Sequence, residues 1–162
     1  LGDCIIVTGC GYPDVATRAL VSRLSKKLPD MIIIGVADYN PHGISLLLTY
    51  KFGSRSNRAL EARGLAVEKM RWLGLRLHQV EELLGDQDSV LLLPMTDKDA
   101  GVAAGLVEHA CFLGPEYGAY LDEVERMLQL GIKCELQQAL MGVGEVSIEG
   151  FIIDAILRED YI

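Results

Sequence analysis

Two short runs of apolar, mostly β-branched residues near the start of the chain place the tightest limits on its fold. They occupy residues 4–8, just before Gly9, and residues 31–37. Such runs, without polar alternation, are typical of strands that are buried on both faces of a parallel sheet. A helical pattern follows each run. The sequence therefore predicts strand, helix, strand and helix in succession, which is the order of an α/β domain with a parallel sheet.

The predicted helices have recognisable ends. Asp14 is a candidate cap for a first helix, in which apolar residues recur at helical spacing as far as Leu28, before Pro29 ends it. The second half of the chain is predicted to be mainly helical. The remaining predicted elements are a turn at 41–43, a helix at 44–52, a strand at 70–73, and helices at 79–84, 97–112, 117–130 and 147–158.

The helical pattern at 117–130 also predicts a buried face. The face expected in the core consists of Leu121, Val124, Met127 and Leu128, and the face expected in solvent consists of Asp122, Glu123, Glu125 and Arg126. Cysteine usage adds two core candidates, Cys4 and Cys134, because both lie in apolar periodic segments. The four cysteines form no CxxC pair and no metal-ligand spacing, which indicates a reduced compartment.

The net charge of −8 conceals a strong asymmetry between the two halves of the chain. Residues 1–76 hold 11 Lys and Arg against 6 Asp and Glu, whereas residues 77–162 hold 4 against 17. Most of the positive excess lies within residues 51–76. Such asymmetry indicates either a basic binding face, for which nucleic acid is a candidate partner, or simply a solvated loop and helix surface.

The length of 162 residues suits one domain, expected to comprise an α/β core at 1–76 and a mainly helical remainder at 77–162. The longest apolar run has seven residues, against about 20 for a membrane span, so no membrane partner is expected. No charged-then-apolar leader opens the chain, so secretion is not indicated. The first residue is Leu rather than Met, which suggests a fragment of a longer protein.

Asp38 and Asn40 are the strongest candidates for a metal site. They directly follow the second predicted strand, and open α/β sheets bind ligands at the carboxyl ends of their strands. Side chains two apart in an extended segment point the same way, and magnesium prefers oxygen ligands. The same residues also suit a plain turn, because Asp, Asn, Pro and Gly are favoured there by local hydrogen bonding. Both interpretations remain open on spacing alone.

Other chemistry-bearing residues near this turn give weaker signals. Residues 9–14 join the first strand to its helix, but they complete neither a dinucleotide-binding fingerprint nor a phosphate-binding P-loop. A tyrosine can act as a covalent nucleophile, yet the sequence pairs none of the six tyrosines with a base. His42 lies close enough to the turn to contact a phosphate.

Six ordered strings of the chain carry a family resemblance. They are TGCGYPDVATR at residues 8–18, DYNPHGI at 38–44, TYKFGS at 49–54, MRWLGL at 70–75, LPMTDKD at 93–99 and GIKCELQ at 131–137. Taken together, and spanning nearly the whole chain, they resemble the topoisomerase VI A-subunit family. The strings at 70–75 and 131–137 look closer to its eukaryotic meiotic branch than to the archaeal enzyme.

The resemblance implies a Toprim-like, Rossmann-like α/β fold that binds magnesium near the DNA backbone. In that family a tyrosine attacks a DNA phosphodiester and stays linked to the 5′ end, and two protomers together cut both strands. That tyrosine, and the glutamate that completes the acidic trio, belong upstream of the residues matched here. The resemblance therefore implies Asp38 and Asn40 as metal ligands, no catalytic residue in this chain, and no cleavage by this chain alone.

The resemblance also implies partners and a location. The partners are double-stranded DNA, a second A-like protomer with which it forms a homodimer, and an ATP-binding B-like protein; the location is the nucleus. Two departures from the family pattern bear on the metal site: Asn40 stands where a second Asp is usual, and Cys10 replaces a Lys. The expected DNA contacts are Arg18, His42, Lys51, Phe52 and Arg55.

Three hypotheses follow. The leading one is a meiotic, topoisomerase-like, DNA-breaking protein represented by its Toprim portion. The second is a non-catalytic module that binds DNA and other proteins of the complex. The third is a receiver-like phosphoacceptor using Asp38, which would need further acidic residues after the first strand, where Thr8, Gly9 and Cys10 stand instead.

Overall fold

The structure is a computed structural model, and it describes residues 4–54, 64–84, 92–109, 117–142 and 147–162. Within those ranges helices predominate, and the strands are short. In chain order the elements are α1 (Val15–Lys27), β1 (Ile34–Val36), α2 (Pro41–Lys51), β2 (Arg71–Gly74), α3 (Leu77–Leu84), β3 (Leu93–Pro94), α4 (Asp97–His109), α5 (Gly118–Leu130), β4 (Ile132–Lys133), α6 (Leu136–Gly142) and α7 (Ile148–Leu157).

The strands β1 and β2 form a parallel pair. Arg71 N donates to Ile33 O over 2.9 Å at one end of the pair, and Ala37 N donates to Gly74 O over 2.7 Å at the other. The residue numbers rise together along both strands, as they do only in parallel pairing. This pair and the helices around it confirm the predicted α/β class.

The strand predicted at residues 31–37 needs a correction: β1 covers only Ile34–Val36, and Ile32 just before it is 64% exposed. In the described part of the chain β1 pairs with β2 alone, so it does not lie between two strands as a fully covered strand would.

Helix α1 confirms the predicted cap but not the predicted buried face. Asp14 Oδ1 accepts a hydrogen bond from Thr17 N over 2.7 Å, which satisfies one of the free N–H groups of the first turn. The buried positions of the helix are Arg18 and Ser22, whereas Leu20 is exposed. A polar pair therefore occupies the inward face, which apolar spacing alone did not predict.

The predicted strand at residues 4–8 is wrong. No strand is assigned there, and the side chains of Ile5 and Ile6 are 61% and 88% exposed. A β-branched run becomes a strand only when a neighbour supplies backbone donors and acceptors, and in the described part of the chain β1 pairs with β2. Cys4, predicted to be a core residue, is exposed for the same reason.

Helix α2 begins earlier than its predicted start at residue 44, because the predicted turn at 41–43 is already helical. Pro41 is the first helical residue, a position where the missing N–H costs nothing and the fixed φ is favourable. The helix ends at Lys51, one residue before its predicted end.

The second half contains a strand pair that the sequence did not predict. Strands β3 and β4 are antiparallel, with Leu93 opposite Lys133 and Pro94 opposite Ile132. Beyond them, Met95 N donates to Gly131 O over 2.8 Å. Two-residue strands are too short to show an alternating pattern, so only the pairing itself reveals them.

The predicted helices of the second half are confirmed as α3, α4, α5 and α7, and the predicted end at residue 112 lies outside the described residues. The predicted faces of α5 need two corrections. Glu123 is buried rather than solvated, because its carboxylate accepts a hydrogen bond from Leu77 N over 3.2 Å. Leu128, predicted to be buried, is exposed.

The chain divides into two compact units, one made of Leu1–Gly35 and Leu46–Trp72, the other of Val36–Ser45 and Leu73–Ile162. Each has its own buried apolar residues; Trp72 is fully buried in the first. The predicted division at residue 76 stays a prediction. The buried residues of the second unit include Tyr39, Leu73, Leu75, Tyr120, Val124, Met127 and Cys134.

A carboxylate near the end of the second unit gathers three donors, and we call this group the Asp160 cluster: Arg76, His78, Gln79 and Asp160. The guanidinium of Arg76 donates to Asp160 Oδ1, and Gln79 Nε2 donates to Oδ2 over 2.9 Å. His78 Nε2 lies 2.9 Å from the same Oδ2. Gln79 also donates to Leu73 O over 2.8 Å, so the cluster braces the chain between β2 and α3.

Helix length bears on whether the chain could enter a membrane. A helix that crosses a bilayer needs about 20 predominantly apolar residues. The longest described helices, α1, α4 and α5, have 13 residues each. None of the helices in the described ranges is both long and apolar enough to cross a membrane.

Candidate functional site

Residues 38–40, the Asp38 turn, begin two residues after the end of β1 at Val36 and are fixed by a segment almost one hundred residues later. Asp38 Oδ1 accepts a hydrogen bond from Leu136 N over 2.9 Å, at the first residue of α6. Cys134 N donates to Tyr39 O over 2.9 Å, forming an isolated antiparallel bridge. The position of Asp38 is therefore set by backbone donors from the segment that follows β4.

Asn40 links the turn to α2. Its Oδ1 accepts a hydrogen bond from Gly43 N over 2.7 Å, so the side chain caps the helix that begins at Pro41. This is the local bonding expected of a turn-forming residue. It uses one lone pair of the amide oxygen and leaves the other.

Gly43 allows the first turn of α2 to lie against the Asp38 turn. A Cβ atom at this position would stand 2.5 Å from Asp38 O and 3.3 Å from Asp38 N. It would also stand 3.2 Å from the Cβ of Ala37. The first two obstacles are backbone atoms, which cannot move aside as a flexible side chain can, so the geometry of the turn depends on glycine.

Tyr39 extends in the opposite direction and anchors the turn in the core of the second unit. Its side chain is fully buried, and its hydroxyl has no hydrogen-bond partner among the described residues. Burial, reinforced by the negative charge of Glu123, raises the pKa of the Tyr39 phenol well above its usual value. The phenol is therefore neutral and shielded, which makes it a packing residue and a poor nucleophile.

Replacing Tyr39 with Phe is expected to stabilise the protein by about 1 kcal/mol, because it removes a buried hydroxyl that has no partner among the described residues. The matched control is Tyr117→Phe, since Tyr117 donates its hydroxyl proton to Leu106 O over 3.0 Å. That control is expected to lose about 1 kcal/mol. Urea unfolding of both variants measures the two changes, and a destabilised Tyr39→Phe variant would contradict the assignment.

A second polar group in the same unit centres on Asp99, a buried residue in the first turn of α4. Its Oδ2 accepts from Lys133 Nζ over 2.7 Å, from Thr96 N over 2.9 Å and from Thr96 Oγ1 over 2.7 Å. Its Oδ1 lies 3.9 Å from His42 Nε2. The Lys133 hydrogen bond, assisted by Thr96, outweighs burial and holds the pKa of this carboxyl far below its usual value.

Cys134, beside the Asp38 turn, is confirmed as a core residue. Burial, together with the negative charges of Asp38 and Glu135, raises the pKa of its thiol to about 11. The thiol is therefore protonated near neutral pH and is not a thiolate ligand or nucleophile in this state.

The side-chain oxygens of Asp38 and Asn40 suit a magnesium ion that takes its remaining ligands from a bound phosphate and from water. A carboxylate offers about four lone-pair sites, so Asp38 retains acceptor capacity beyond its bond to Leu136. Magnesium is commonly held by one or two carboxylates together with substrate phosphates and water. Within the described ranges, no group of three or more His, Cys, Asp and Glu side chains is placed to hold a metal ion.

The residues predicted to contact DNA occupy different environments. In the first unit, Arg18 and Lys51 are 3% and 8% exposed. Lys51 Nζ donates to Glu68 O over 2.9 Å and to Met70 O over 2.8 Å, and it lies 5.8 Å from the centre of the neighbouring Phe52 ring. Lys51 thus helps to hold the first unit together, and its role as a DNA contact stays a prediction.

Three predicted contacts remain, Phe52, His42 and Arg55. Phe52 lies beside Lys51 in the first unit, and its role on DNA stays a prediction. His42, in the second unit, has a 36% exposed side chain and faces Asp99. Arg55 lies outside the described residues, as do Arg58 and Arg63, two further basic residues of the segment at 51–76. Their roles on DNA therefore also stay predictions.

Backbone carbonyls hold two further lysines of the first unit. Lys26 Nζ donates to Gly64 O over 2.8 Å, and Ser22 Oγ donates to the same carbonyl oxygen. Lys69 Nζ donates to Leu28 O and Pro29 O, each over 2.9 Å, just after α1. With Lys51 these residues form a set that we call the carbonyl-bound lysines.

Sequence reasoning did not single out Asp99, Lys133 or Leu136, although they define the surroundings of Asp38. All three lie in two of the strings that resemble the family, at residues 93–99 and 131–137. Those strings could have indicated that the three residues matter, but nothing in their spacing shows that residue 136 contacts residue 38. That contact arises only in the folded chain.

Comparison with known proteins gives a consistent result. The Toprim domain of the topoisomerase 6 A-subunit/Spo11 family matches residues 2–153 of this chain. The meiotic recombination protein SPO11-2 of Arabidopsis thaliana is 33% identical over 98% of the chain and 39% of its own length. The meiotic recombination protein SPO11-1 of Oryza sativa subsp. indica is 36% identical over 83% of the chain and 34% of its own length.

A topoisomerase is also among the relatives. The A3 subunit of DNA topoisomerase 6 from Oryza sativa subsp. indica is 34% identical over 83% of the chain and 29% of its own length. This chain therefore spans about two-fifths or less of the length of these curated relatives. All the strings that carry the resemblance fall within residues 2–153.

Proposed function

The chain belongs to the Toprim-domain family of the topoisomerase 6 A-subunit and Spo11, and from that premise we propose that it is the Toprim portion of a protein that makes meiotic DNA double-strand breaks. The observation that carries the proposal is that the family match includes Asp38 and that this carboxylate is held at a typical ligand-binding position. The family match runs through residues 2–153, and within it Asp38 stands fixed at the carboxyl end of β1, where α/β sheets bind their ligands.

The proposed chemical role of this chain is to hold and orient the DNA backbone. Asp38 and Asn40 would hold a magnesium ion, which supplies positive charge to the scissile phosphate when bound. Leu136 N and Cys134 N keep the turn in place, so that little reorganisation is needed when the phosphate arrives.

The nucleophilic tyrosine is proposed to come from a part of the protein outside residues 1–162. Three tyrosines of this chain are unsuited to the role, because burial raises the pKa of Tyr39 and Tyr50 and raises that of Tyr120 to about 12. We therefore expect this chain alone to leave DNA uncut. Pairing of two A-like protomers, association with a B-like ATP-binding protein and a nuclear location complete the proposal.

Titration with MgCl2 in a calorimeter tests the metal role. Wild-type chain is expected to bind magnesium weakly, because Asn40 contributes no charge, and Asp38→Asn is expected to lower the affinity about tenfold or more. Asparagine at position 38 can still accept from Leu136 N, so the variant removes charge without removing that bond. Asp30→Asn, an exposed carboxyl of the first unit, is the matched control and should match wild type.

A non-catalytic module that binds DNA and other proteins of the complex is the second candidate. The departure at Asn40, whose oxygen already caps α2, is the observation that favours it. It predicts no heat from magnesium with wild-type chain, together with duplex binding that needs no magnesium and weakens steeply with salt. Equal heats for wild type and Asp38→Asn would reject the metal site and leave this candidate.

A further inference from the structure

We propose that Asp99 is a positioning residue for the Asp38 turn, acting through Lys133 and the segment of chain that follows it. The inference rests on the proposed magnesium role of Asp38, since it assigns the group that keeps this carboxylate in place. Asp99 would touch neither the metal nor the DNA. Its effect would be exerted on the two backbone donors that hold residues 38 and 39.

The first step of the argument is that Asp99 is itself rigidly held. Thr96 and Asp99 flank the start of α4 in the manner of a capping box: Asp99 Oδ2 accepts from Thr96 N over 2.9 Å, and Asp99 N donates to Thr96 Oγ1 over 3.2 Å. The residue is 5% exposed. A carboxylate fixed by its own helix start and shielded from solvent is a stable anchor for a cation.

The second step leads from the anchor to the turn. Lys133 Nζ donates to Asp99 Oδ2 over 2.7 Å, and Lys133 is the last residue of β4. The next residue, Cys134, donates its N–H to Tyr39 O, and Leu136 donates its N–H to Asp38 Oδ1. Holding the side chain of residue 133 therefore restrains the three following residues, which present both donors.

The backbone supports the same path independently of side chains. Strands β3 and β4 pair immediately before these residues, with Leu93 opposite Lys133, and Met95 N donates to Gly131 O. The chain leading from β3 into α4 is thus attached to the β4 segment by the strand pairing and by the Met95–Gly131 hydrogen bond. The Asp99–Lys133 ion pair adds a side-chain attachment at the last residue of β4, directly before Cys134.

Asp99 also lies near α2, the helix that follows the Asp38 turn. Its Oδ1 lies 3.9 Å from Nε2 of His42, which is two residues beyond Asn40 in the first turn of α2. The Asp99 carboxylate therefore lies close to His42, in the helix that follows the Asp38 turn, and binds Lys133, just before the residues that donate to the turn.

The Asp99–Lys133 ion pair supports a positioning role rather than a stabilising one, because its side chains are 7% and 20% exposed. Charges largely removed from water gain little net stability, since the desolvation cost offsets much of their attraction, yet removing one partner is unfavourable because the other keeps that cost. An ion pair of this kind favours one arrangement of the chain over others. Here it favours the arrangement in which residues 133–136 lie against residues 38 and 39.

Amide hydrogen exchange, read residue by residue by NMR on the metal-free chain, tests the inference. Asp99→Asn is expected to speed exchange at Cys134 and Leu136 at least about tenfold, because it removes the charge that Lys133 needs. Asparagine can still accept from Thr96 N, so the cap of α4 should survive. Asp97→Asn, an exposed carboxyl in the same helical turn, is the matched control and should leave both rates unchanged.

Variants at the other partner keep the test decisive if Asp99→Asn fails to fold. Lys133→Gln should reproduce the faster exchange at Cys134 and Leu136, and Lys133→Arg should restore slow exchange because it keeps the ion pair. The amide exchange rate of Val124, a buried residue of α5, reports whether a variant destabilises the second unit as a whole. A rise at Val124 equal to that at Leu136 would overturn the positioning role in favour of a merely structural one.

Magnesium titration separates the failure of this inference from failure of the proposed function. Asp99→Asn is expected to lower magnesium affinity about tenfold, as loss of groups behind metal ligands commonly does. If wild-type chain takes up no magnesium, the metal role fails, while the exchange rates still decide the role of Asp99. If Asp99→Asn and Lys133→Gln both leave exchange at Cys134 and Leu136 unchanged, the inference is overturned whatever the magnesium result.

Discussion

Replacing Gly43 with alanine is expected to destabilise the protein by about 2–3 kcal/mol, the upper part of the roughly 1–3 kcal/mol that an added group costs in a packed interior. The new Cβ would stand 2.5 Å from Asp38 O and 3.3 Å from Asp38 N. Because these are backbone atoms, α2 must shift relative to the Asp38 turn. The same shift should abolish any heat of magnesium binding that wild-type chain gives.

Gly101→Ala is the matched control for this prediction. Gly101 also lies within a helix, α4, but a Cβ there would meet no heavy atom within 4 Å among the described residues. Alanine is the better helix former by about 1 kcal/mol, so this variant should be more stable than wild type and should bind magnesium normally. Urea unfolding and calorimetry on both variants measure the contrast. A Gly43→Ala chain as stable as Gly101→Ala would disprove the close approach.

Removing the carboxylate of the Asp160 cluster is expected to have an effect of similar size. Asp160→Ala leaves the guanidinium of Arg76 without the carboxylate that it binds, and it removes one of the two acceptors of the Gln79 amide, which keeps Leu73 O. Arg76 and Gln79 are both less than 10% exposed. The expected loss is about 2–3 kcal/mol, below the figure for a fully buried pair because Asp160 is 27% exposed.

The control for Asp160→Ala is Asp154→Ala, which removes an exposed ion pair with Arg158 on the surface of α7. Exposed pairs of this kind contribute about 0.5 kcal/mol or less. Urea unfolding of the two variants gives the comparison directly. Equal losses would mean that the Asp160 cluster is no more than a surface contact.

The pH dependence of the Asp160→Ala effect has a definite sign. Burial raises the pKa of the Asp160 carboxyl, but the hydrogen bonds from Gln79 and His78 and the charge of Arg76 outweigh it, so the folded-state pKa is below the ordinary 3.8. Its contribution is complete above that ordinary value and is lost as pH falls through the folded-state pKa. Wild type and Asp160→Ala should therefore differ most near neutral pH and converge in acid.

Local patterns in the sequence predicted those elements that depend mainly on local physics. The apolar run before Asp38 located β1, although it overestimated the length and burial of the strand, and the position of Asp14 located the start of α1. Both follow from neighbouring residues, because β-branched composition and helix capping are local properties. The same patterning located the helices of the second half. Asp38 was selected because it follows a strand, which is also a local statement.

Two wrong predictions, the strand at residues 4–8 and the solvated Glu123, share one cause. A local sequence pattern does not show which distant residues are available as hydrogen-bonding partners. Residues 4–8 have the composition of a strand, but they lie exposed because no strand pairs with them in the described part of the chain. Glu123 has the character of a solvated residue, yet a backbone donor at Leu77 brings it inside. Partners distant in sequence decided both cases.

The candidate site shows the same division. Asp38 and Asn40 could be proposed from spacing, but the donors that fix Asp38 come from the chain around Leu136, and the charge behind them comes from Asp99. No periodicity connects these positions. The family strings contained them without indicating what they contact.

The carbonyl-bound lysines have a consequence for how this protein would meet a polyanion. A carbonyl oxygen carries only a partial charge, so the bonds of Lys26 and Lys69 immobilise each ammonium group without cancelling its formal charge. Such a group attracts phosphates through its electric field over roughly a Debye length, about 8 Å in physiological salt, without touching them. Under the proposed function, the field of these lysines would accelerate the encounter with DNA.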